Sequence, residues 1–303
     1  RVEKLMGNRF EITVVCHNKK HADESMDLAI GEIKRIEKLL TTFSEESQTA
    51  AINRAAGLHP VQVASEVYQL IERANFISKI TQGAFDLSYG SIDKRYWNFD
   101  QQMDSLPDKE TAMKTVHLIN YRNIILNPEK QTVFLKEKGM RIGFGGIGKG
   151  YAAERAKIML QASGIKSGVV NAAGDLTAWG ATASGHSWTI GIAAPDGSRH
   201  PFSSLNITNK AVATSGTYEK FAVIQGKKYS HTIDPKTGYP VSGIKSITII
   251  CPNAELADAM ATPVMVMGIN AGLYLINQMK DVECILIDDN DKLYTSKNIK
   301  LVQ

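Results

Sequence analysis

The chain has 303 residues, 43% of them hydrophobic and 22% charged, a balance that excludes general disorder and leaves room for one large domain or two ordinary ones. Thirty-five Lys and Arg against 31 Asp and Glu give a net charge of +4, which permits a phosphorylated ligand but lacks the clustered charge of a nucleic-acid-binding domain. The cysteines (Cys16, Cys251, Cys284) are odd in number and far apart with no C-x-x-C pair, which argues against a disulfide framework and against a thiolate zinc site.

Residues 9–15 (RFEITVV) are β-branched and predict a strand. A helix follows, with Met26, Ile30, Ile33, Ile36 and Leu40 at helical spacing as a packing face. Residues 65–79 repeat that pattern with Val67, Leu70, Ile71, Ala74 and Ile77, and Ser65 is the expected N-cap. Residues 95–128 are irregular and polar, a loop or small subdomain. Short strands are expected at 123–126, 132–135 and 140–144. A glycine-rich turn then leads into a helix over 151–162, stopped by Gly164. The second half reads as strands at 167–171, 188–193, 221–224, 244–251, 284–287 and 292–295, interrupted by helices at 254–267 and 271–279. Helices and strands come in blocks, which predicts an α+β fold. The most apolar window, 259–268, is about ten residues, short of a membrane span. The chain opens on Arg1, so a trimmed start is expected.

The turn Gly143-Phe-Gly-Gly-Ile-Gly-Lys-Gly150 satisfies two nucleotide motifs incompletely. A P-loop needs a hydroxyl after its lysine, and Gly150 has none. A dinucleotide fingerprint needs an acidic residue about 20 positions on within a βαβ unit; here Asn171-Ala-Ala-Gly-Asp175 comes late and is broken by glycine. The plain alternative is a tight turn in which glycine permits positive φ. Backbone N–H groups near a helix N-terminus, with one lysine, suit a phosphate in either functional reading.

Three further segments carry chemistry. Ala213-Thr-Ser-Gly-Thr-Tyr218 sets three hydroxyls around one glycine. His231-Thr-Ile-Asp-Pro-Lys-Thr-Gly-Tyr-Pro240 joins a histidine to ordinary turn residues. Asp258 and Thr262 lie four apart, on one face of a helix whose neighbouring residues are apolar. A carboxylate and a hydroxyl are hard oxygen ligands of the kind Mg²⁺ takes, and an Asp–Thr hydrogen bond is the plain alternative.

In order along the chain, these segments resemble the ApbE-type FAD:protein FMN transferases, or flavin transferases. Met6-Gly7, Phe43 to Ser47 with Asn53, Gly83-Ala-Phe-Asp86, Gly145 to Ala152, Asn171 to Asp175, Thr214-Ser-Gly216, His231 to Gly238 and Ala257-Asp-Ala-x-x-Thr262 are similar to that family's motifs, over nearly the whole chain. The resemblance implies a single α+β unit over residues 1–303, with mixed or antiparallel sheets and a central flavin cleft. It implies a Mg²⁺-dependent enzyme that cleaves FAD, attaches FMN to a Thr or Ser hydroxyl of an acceptor protein such as a redox-complex subunit, and releases AMP. It further implies Mg²⁺ ligation by Asp258, Thr262 and the Gly146 carbonyl. Met6, Phe43, Ala84, Phe85 and Asp86 would line the flavin and adenine sites. Lys149, Asp175 and the backbone at Thr232 would be FAD contacts, and His231 would be the catalytic histidine. Relatives work in the periplasm or on the outer face of the cytoplasmic membrane, often lipid-anchored, and that location is expected here.

Two departures stand out. Gly143 replaces the family's usual Asp, and Phe43 replaces its usual Tyr, which removes a polar contact and keeps a ring. They keep open a FAD pyrophosphatase with water as acceptor, or a protein that binds FAD without turnover.

Overall fold

The computed structural model of the chain describes residues 1–303 apart from 94, 98, 100–104, 194–200, 218–220 and 300–303. β1 (Val2–Leu5) and β2 (Asn8–Val14) form a hairpin whose two-residue loop puts Met6 (φ 52°) and Gly7 (φ 74°) in the left-handed region. Positive φ at both loop residues is the mark of a type I′ turn. Glycine adopts it freely, whereas methionine does so at a cost of about 1–2 kcal/mol. α1 (Lys19–Leu40) starts where the Asn18 side chain accepts the His21 N–H, and it buries the predicted face. α2 (Gln48–Arg54) is capped by Ser47. β3 (Val61–Gln62) precedes α3 (Ser65–Ile80), which also buries its predicted face. Ser65 is not the N-cap: Ala64 holds that position with no side-chain cap bond, and its N–H donates to Gln48 Oε1 at 2.8 Å.

A 3₁₀ turn, Leu87–Ser91, leads into the polar region. There α4 (Lys109–Val116) packs with Trp97 and Ile233 in a small core of its own. β4 (Ile124–Asn127) and β5 (Thr132–Leu135) join β3 in a three-stranded sheet, order β3-β5-β4. The strand expected at 140–144 is absent. That segment has no ladder partner; its Ile142 is held on both backbone groups by the Asn53 side chain, with N–H to Oδ1 2.7 Å and Nδ2 to C=O 3.0 Å.

α5 (Gly148–Ala162) starts inside the glycine run and ends at Gly164 (φ 87°), where the Ile165 N–H reaches back to the Leu160 carbonyl. β6 (Gly168–Ala172) and β7 (Asp175–Trp179) form a second hairpin, turned by Ala173 and Gly174 at positive φ. β8 (Trp188–Ala193) and β9 (Pro201–Ile207) pair as a ribbon. β10 (Lys210–Gly216) follows, then the hairpin of β11 (Phe221–Ile224) and β12 (Lys227–Ser230). β13 (Ile244–Cys251), α6 (Ala254–Met267), α7 (Ile269–Ile276), β14 (Glu283–Asp288) and β15 (Leu293–Thr295) complete the described chain.

Eight strands make one antiparallel sheet, order β1-β2-β6-β7-β10-β13-β14-β15. Its apolar residues divide by strand alternation. Val170, Ala211 and Ile249 join the α1, α5 and α6 side chains in the main core. Leu176, Val212, Ile250 and Ile285 face the other way and are covered by the β8–β9 ribbon through Ile192 and Ile207. The stretch Ala254–Ile276 is long and apolar enough to cross a membrane, unlike the ten-residue window expected from sequence. It is two helices broken at Gly268 (φ 79°), and α6 buries the charged Glu255 and Asp258 against neighbouring elements.

Candidate active site

The glycine turn leads into α5, with Thr42 beside Gly143 and Phe85 beside Gly146. None of Gly143, Gly145, Gly146, Gly148 or Gly150 has positive φ, so backbone freedom is not why they are glycines. Close approach explains one of them outright. A Cβ on Gly150 would stand 2.1 Å from the Ala254 carbonyl oxygen and 2.7 Å from Asp258 Cβ, so α5 and α6 touch at this residue. The glycine that breaks the P-loop pattern is therefore a helix-crossing residue. Gly145, by contrast, faces open space.

Asp258 reaches from α6 to the first turn of α5. Its Oδ2 accepts the Gly150 N–H at 2.9 Å, and its Oδ1 lies 3.5 Å from Lys149 Nζ. Asp175, first residue of β7, holds the same ammonium at 2.8 Å. Both carboxylates are buried, while the Lys149 side chain is 25% exposed. Burial pulls the Lys149 pKa down, but Asp258 and Asp175 more than offset that and hold it above the usual lysine value.

The residues expected to hold Mg²⁺ fit it chemically. The Gly150 N–H goes to Asp258 instead of the carbonyl four residues back, which leaves the Gly146 carbonyl with no hydrogen-bond donor among the described residues. Thr262 follows Asp258 by one turn of α6 and is half-buried. One carboxylate, one hydroxyl and one carbonyl are oxygen donors that leave room for substrate phosphates, the usual arrangement for Mg²⁺. Among the described residues there is no cluster of three or more His, Cys, Asp and Glu, so no all-carboxylate or imidazole cage competes with that set.

Of the expected flavin residues, Phe85 and Met6 lie against the glycine turn. Phe85 is buried, with Cε2 3.5 Å from where a Cβ on Gly146 would stand. The Met6 methyl lies 3.6 Å from the corresponding point on Gly148, so the strained β1–β2 turn reaches the start of α5. Phe43 is 96% exposed, and neighbouring Thr42 packs beside Gly143. Ala84 is buried. The Asp86 carboxylate is spent on local structure: Oδ1 accepts from the Ser88 N–H and hydroxyl, and Oδ2 from the Tyr121 N–H at 2.7 Å. Burial nevertheless raises its pKa above the usual carboxylate range, the hydrogen bonds opposing.

His231 follows β12 directly and is half-buried. Thr232 is buried, its carbonyl taken by the Val241 N–H at 2.9 Å. Beyond it, Asp234 closes the turn by accepting the Lys236 N–H, and Gly238 (φ 72°) sits against the Ala112 carbonyl of α4. Of the three hydroxyls around Gly216 (Thr214, Ser215, Thr217), Thr214 pairs across the sheet with Thr248 and Thr217 bonds the Lys245 carbonyl; Tyr218, which follows, lies outside the described residues.

Two contributors were not singled out in sequence. The Tyr89 hydroxyl accepts the Ile233 N–H at 3.1 Å, tying the His231 loop to the turn that Asp86 caps; burial pushes this phenol up to about 12. Glu154 on α5 caps the N-terminus of α6. Neither lies in a motif, and only the fold brings them to the site.

The ApbE family model matches residues 6–286. Across 98% of this chain and 91% of its own length, the FAD:protein FMN transferase of Klebsiella pneumoniae (strain 342) is 32% identical. That of Treponema pallidum (strain Nichols) is 29% identical over 99% and 87%. The crystal structure of the ApbE protein from Thermotoga maritima superposes with a TM-score of 0.87 at 28% identity, covering 98% of this chain and 96% of that one. Both the sequence match and the antiparallel α+β architecture lead to one conclusion: the chain belongs to the ApbE family.

Proposed function

We propose that this chain is a Mg²⁺-dependent FAD:protein FMN transferase, which moves FMN from FAD onto a Thr or Ser hydroxyl of an acceptor protein. The observation that carries the reading is the grouping of Lys149, Asp175 and Asp258 at the N-terminus of α5, beside a carbonyl left without a donor. The relatives named FAD:protein FMN transferase, matching along nearly the whole chain, support the same activity.

In this reading the FAD pyrophosphate lies across the turn before α5, where Lys149 and the helix N-terminus meet its charge. Asp258, Thr262 and the Gly146 carbonyl would hold Mg²⁺, which would supply neutralisation of phosphate charge. Phe85, Met6 and the exposed Phe43 ring line the flavin, with Ala84 and Asp86 behind them. The Thr232 backbone, whose N–H donates to the Ser230 hydroxyl and whose carbonyl accepts the Val241 N–H, holds the loop that carries His231. His231 takes the proton from the acceptor hydroxyl as its oxygen bonds to the FMN phosphorus, and the bond from that phosphorus to the AMP oxygen breaks. Histidine suits the step because its ordinary pKa is near neutrality.

The test is incubation with FAD and Mg²⁺, with and without a tagged acceptor carrying a flavinylation threonine, read by mass spectrometry. The expected result is an FMN adduct that requires acceptor and is abolished by EDTA. AMP without adduct would make the chain a FAD pyrophosphatase. FAD bound and intact would make it a binding protein, and Gly143→Asp would then be the informative variant.

A further inference from the structure

Lys149 faces the Asp258 oxygen that the Gly150 N–H leaves open. Of the two Asp258 oxygens, Oδ2 is engaged by the Gly150 N–H at 2.9 Å, and Oδ1 faces the ammonium at 3.5 Å. An ion that takes Oδ1 from Lys149's side sits about 2.0–2.1 Å from that oxygen, so ion and ammonium repel at short range. Asp175 differs from Asp258 in two ways. Its contact with Lys149 is the shorter, 2.8 Å, and it is not among the candidate metal donors.

Two buried carboxylates need a counter-charge, since unpaired buried charge is costly. In the ion-free protein Lys149 contributes to it for both. Once an ion neutralises Asp258, the lysine is needed only by Asp175, and its remaining N–H donors are released toward the space in front of α5.

We infer that Lys149 is the resident cation of the Asp175–Asp258 pair, that it gives up Asp258 when a divalent ion binds there, and that Asp175 is the positioning residue that retains it for the substrate phosphate. The inference rests on the reading of Asp258 as a metal ligand. Ion affinity is then set by how strongly Asp175 draws Lys149 aside. Removing Asp175 leaves the lysine wholly to Asp258 and weakens ion binding; removing Lys149 strengthens ion binding and leaves Asp175 only its direct pull on the ion.

The experiment is calorimetric titration of MgCl₂ into nucleotide-free, EDTA-stripped protein: wild type, Lys149→Met, Asp175→Asn and the double variant, with Lys149→Gln if the methionine variant does not fold. Lys149→Met is expected to bind Mg²⁺ at least about tenfold more tightly than wild type. Asp175→Asn is expected to weaken binding about threefold or more in the wild-type background and clearly less in the Lys149→Met background, where only the lost carboxylate charge acts, a non-additive cycle. Equal or weaker binding by Lys149→Met, or the same Asp175→Asn effect in both backgrounds, would overturn the inference and leave the metal assignment standing. No binding by any of the four proteins would overturn the metal assignment itself.

Discussion

Glu154 Oε2 accepts the N–H of Ala254 at 3.0 Å, so one helix of the site caps the other. The same carboxylate pairs with Lys157 on its own helix. A buried N–H that loses its acceptor costs about 1–3 kcal/mol. Glu154→Ala is therefore expected to lower the thermal unfolding midpoint, and Glu154→Gln, which keeps an acceptor oxygen, to recover most of the loss. Equal melting of the two variants would show that the cap contributes nothing.

Gly150→Ala and Gly145→Ala form a contrasting pair. The first places a methyl 2.1 Å from the Ala254 carbonyl oxygen and must push α5 and α6 apart, an overpacking cost of about 1–3 kcal/mol together with loss of the Gly150–Asp258 bond. The second adds a methyl in open space and is expected to leave stability unchanged within about 1 kcal/mol. Thermal melts of both variants check the expectation.

Asp258→Ala is expected to lower metal-dependent FAD turnover by about 100-fold or more. Asp258→Asn keeps an acceptor for the Gly150 N–H and separates loss of charge from loss of helix contact. Full turnover in either variant would remove Asp258 from the metal site.

His231→Ala is expected to slow transfer to the acceptor by about 10²-fold or more while FAD affinity stays near that of the wild type. Fluorescence titration with FAD and single-turnover labelling separate the two effects. An unchanged labelling rate would return His231 to the role of a structural histidine.

Arg35 draws Glu66 and Glu32 below the ordinary glutamate value of 4.5, through side-chain hydrogen bonds that outweigh burial. Their folded pKa lies under the unfolded one, so the ionised carboxylates stabilise the fold above about pH 4.5 and lose that effect as pH falls through the folded values. The expected outcome is a melting temperature that drops on acidification below this range, with a shallower drop in Arg35→Met. Parallel curves would show that Arg35 does not set these pKa values.

The sequence was most legible where periodicity is long. The faces of α1 and α3 were read residue by residue, because a 3.6-residue repeat over four turns or more has few competing explanations. The meeting of the glycine turn with Asp258 was legible only through the family resemblance; spacing alone left a P-loop, a dinucleotide site and a bare turn all open. The strand expected at 140–144 failed because an apolar run does not state its partner, and Asn53 took the place of a ladder. β10 was missed because Thr214 and Ser215 read as a polar cluster, whereas Thr214 is half of a cross-strand pair with Thr248. The β1–β2 hairpin was missed because Met6 carries no turn signal, yet sits at φ 52°.

The helix crossing at Gly150 also sets when the site can come into being. Lys149 and Gly150 are synthesised early, but their carboxylate partner on α6 lies 108 residues downstream of Gly150, and β13 leads into that helix. A nascent chain that ends before residue 254 carries the glycine turn and Asp175 without Asp258 or Thr262. Such a chain lacks two of the three proposed ion donors. Under the proposed assignment, the ion site is complete only once α6 has been made, near the end of synthesis.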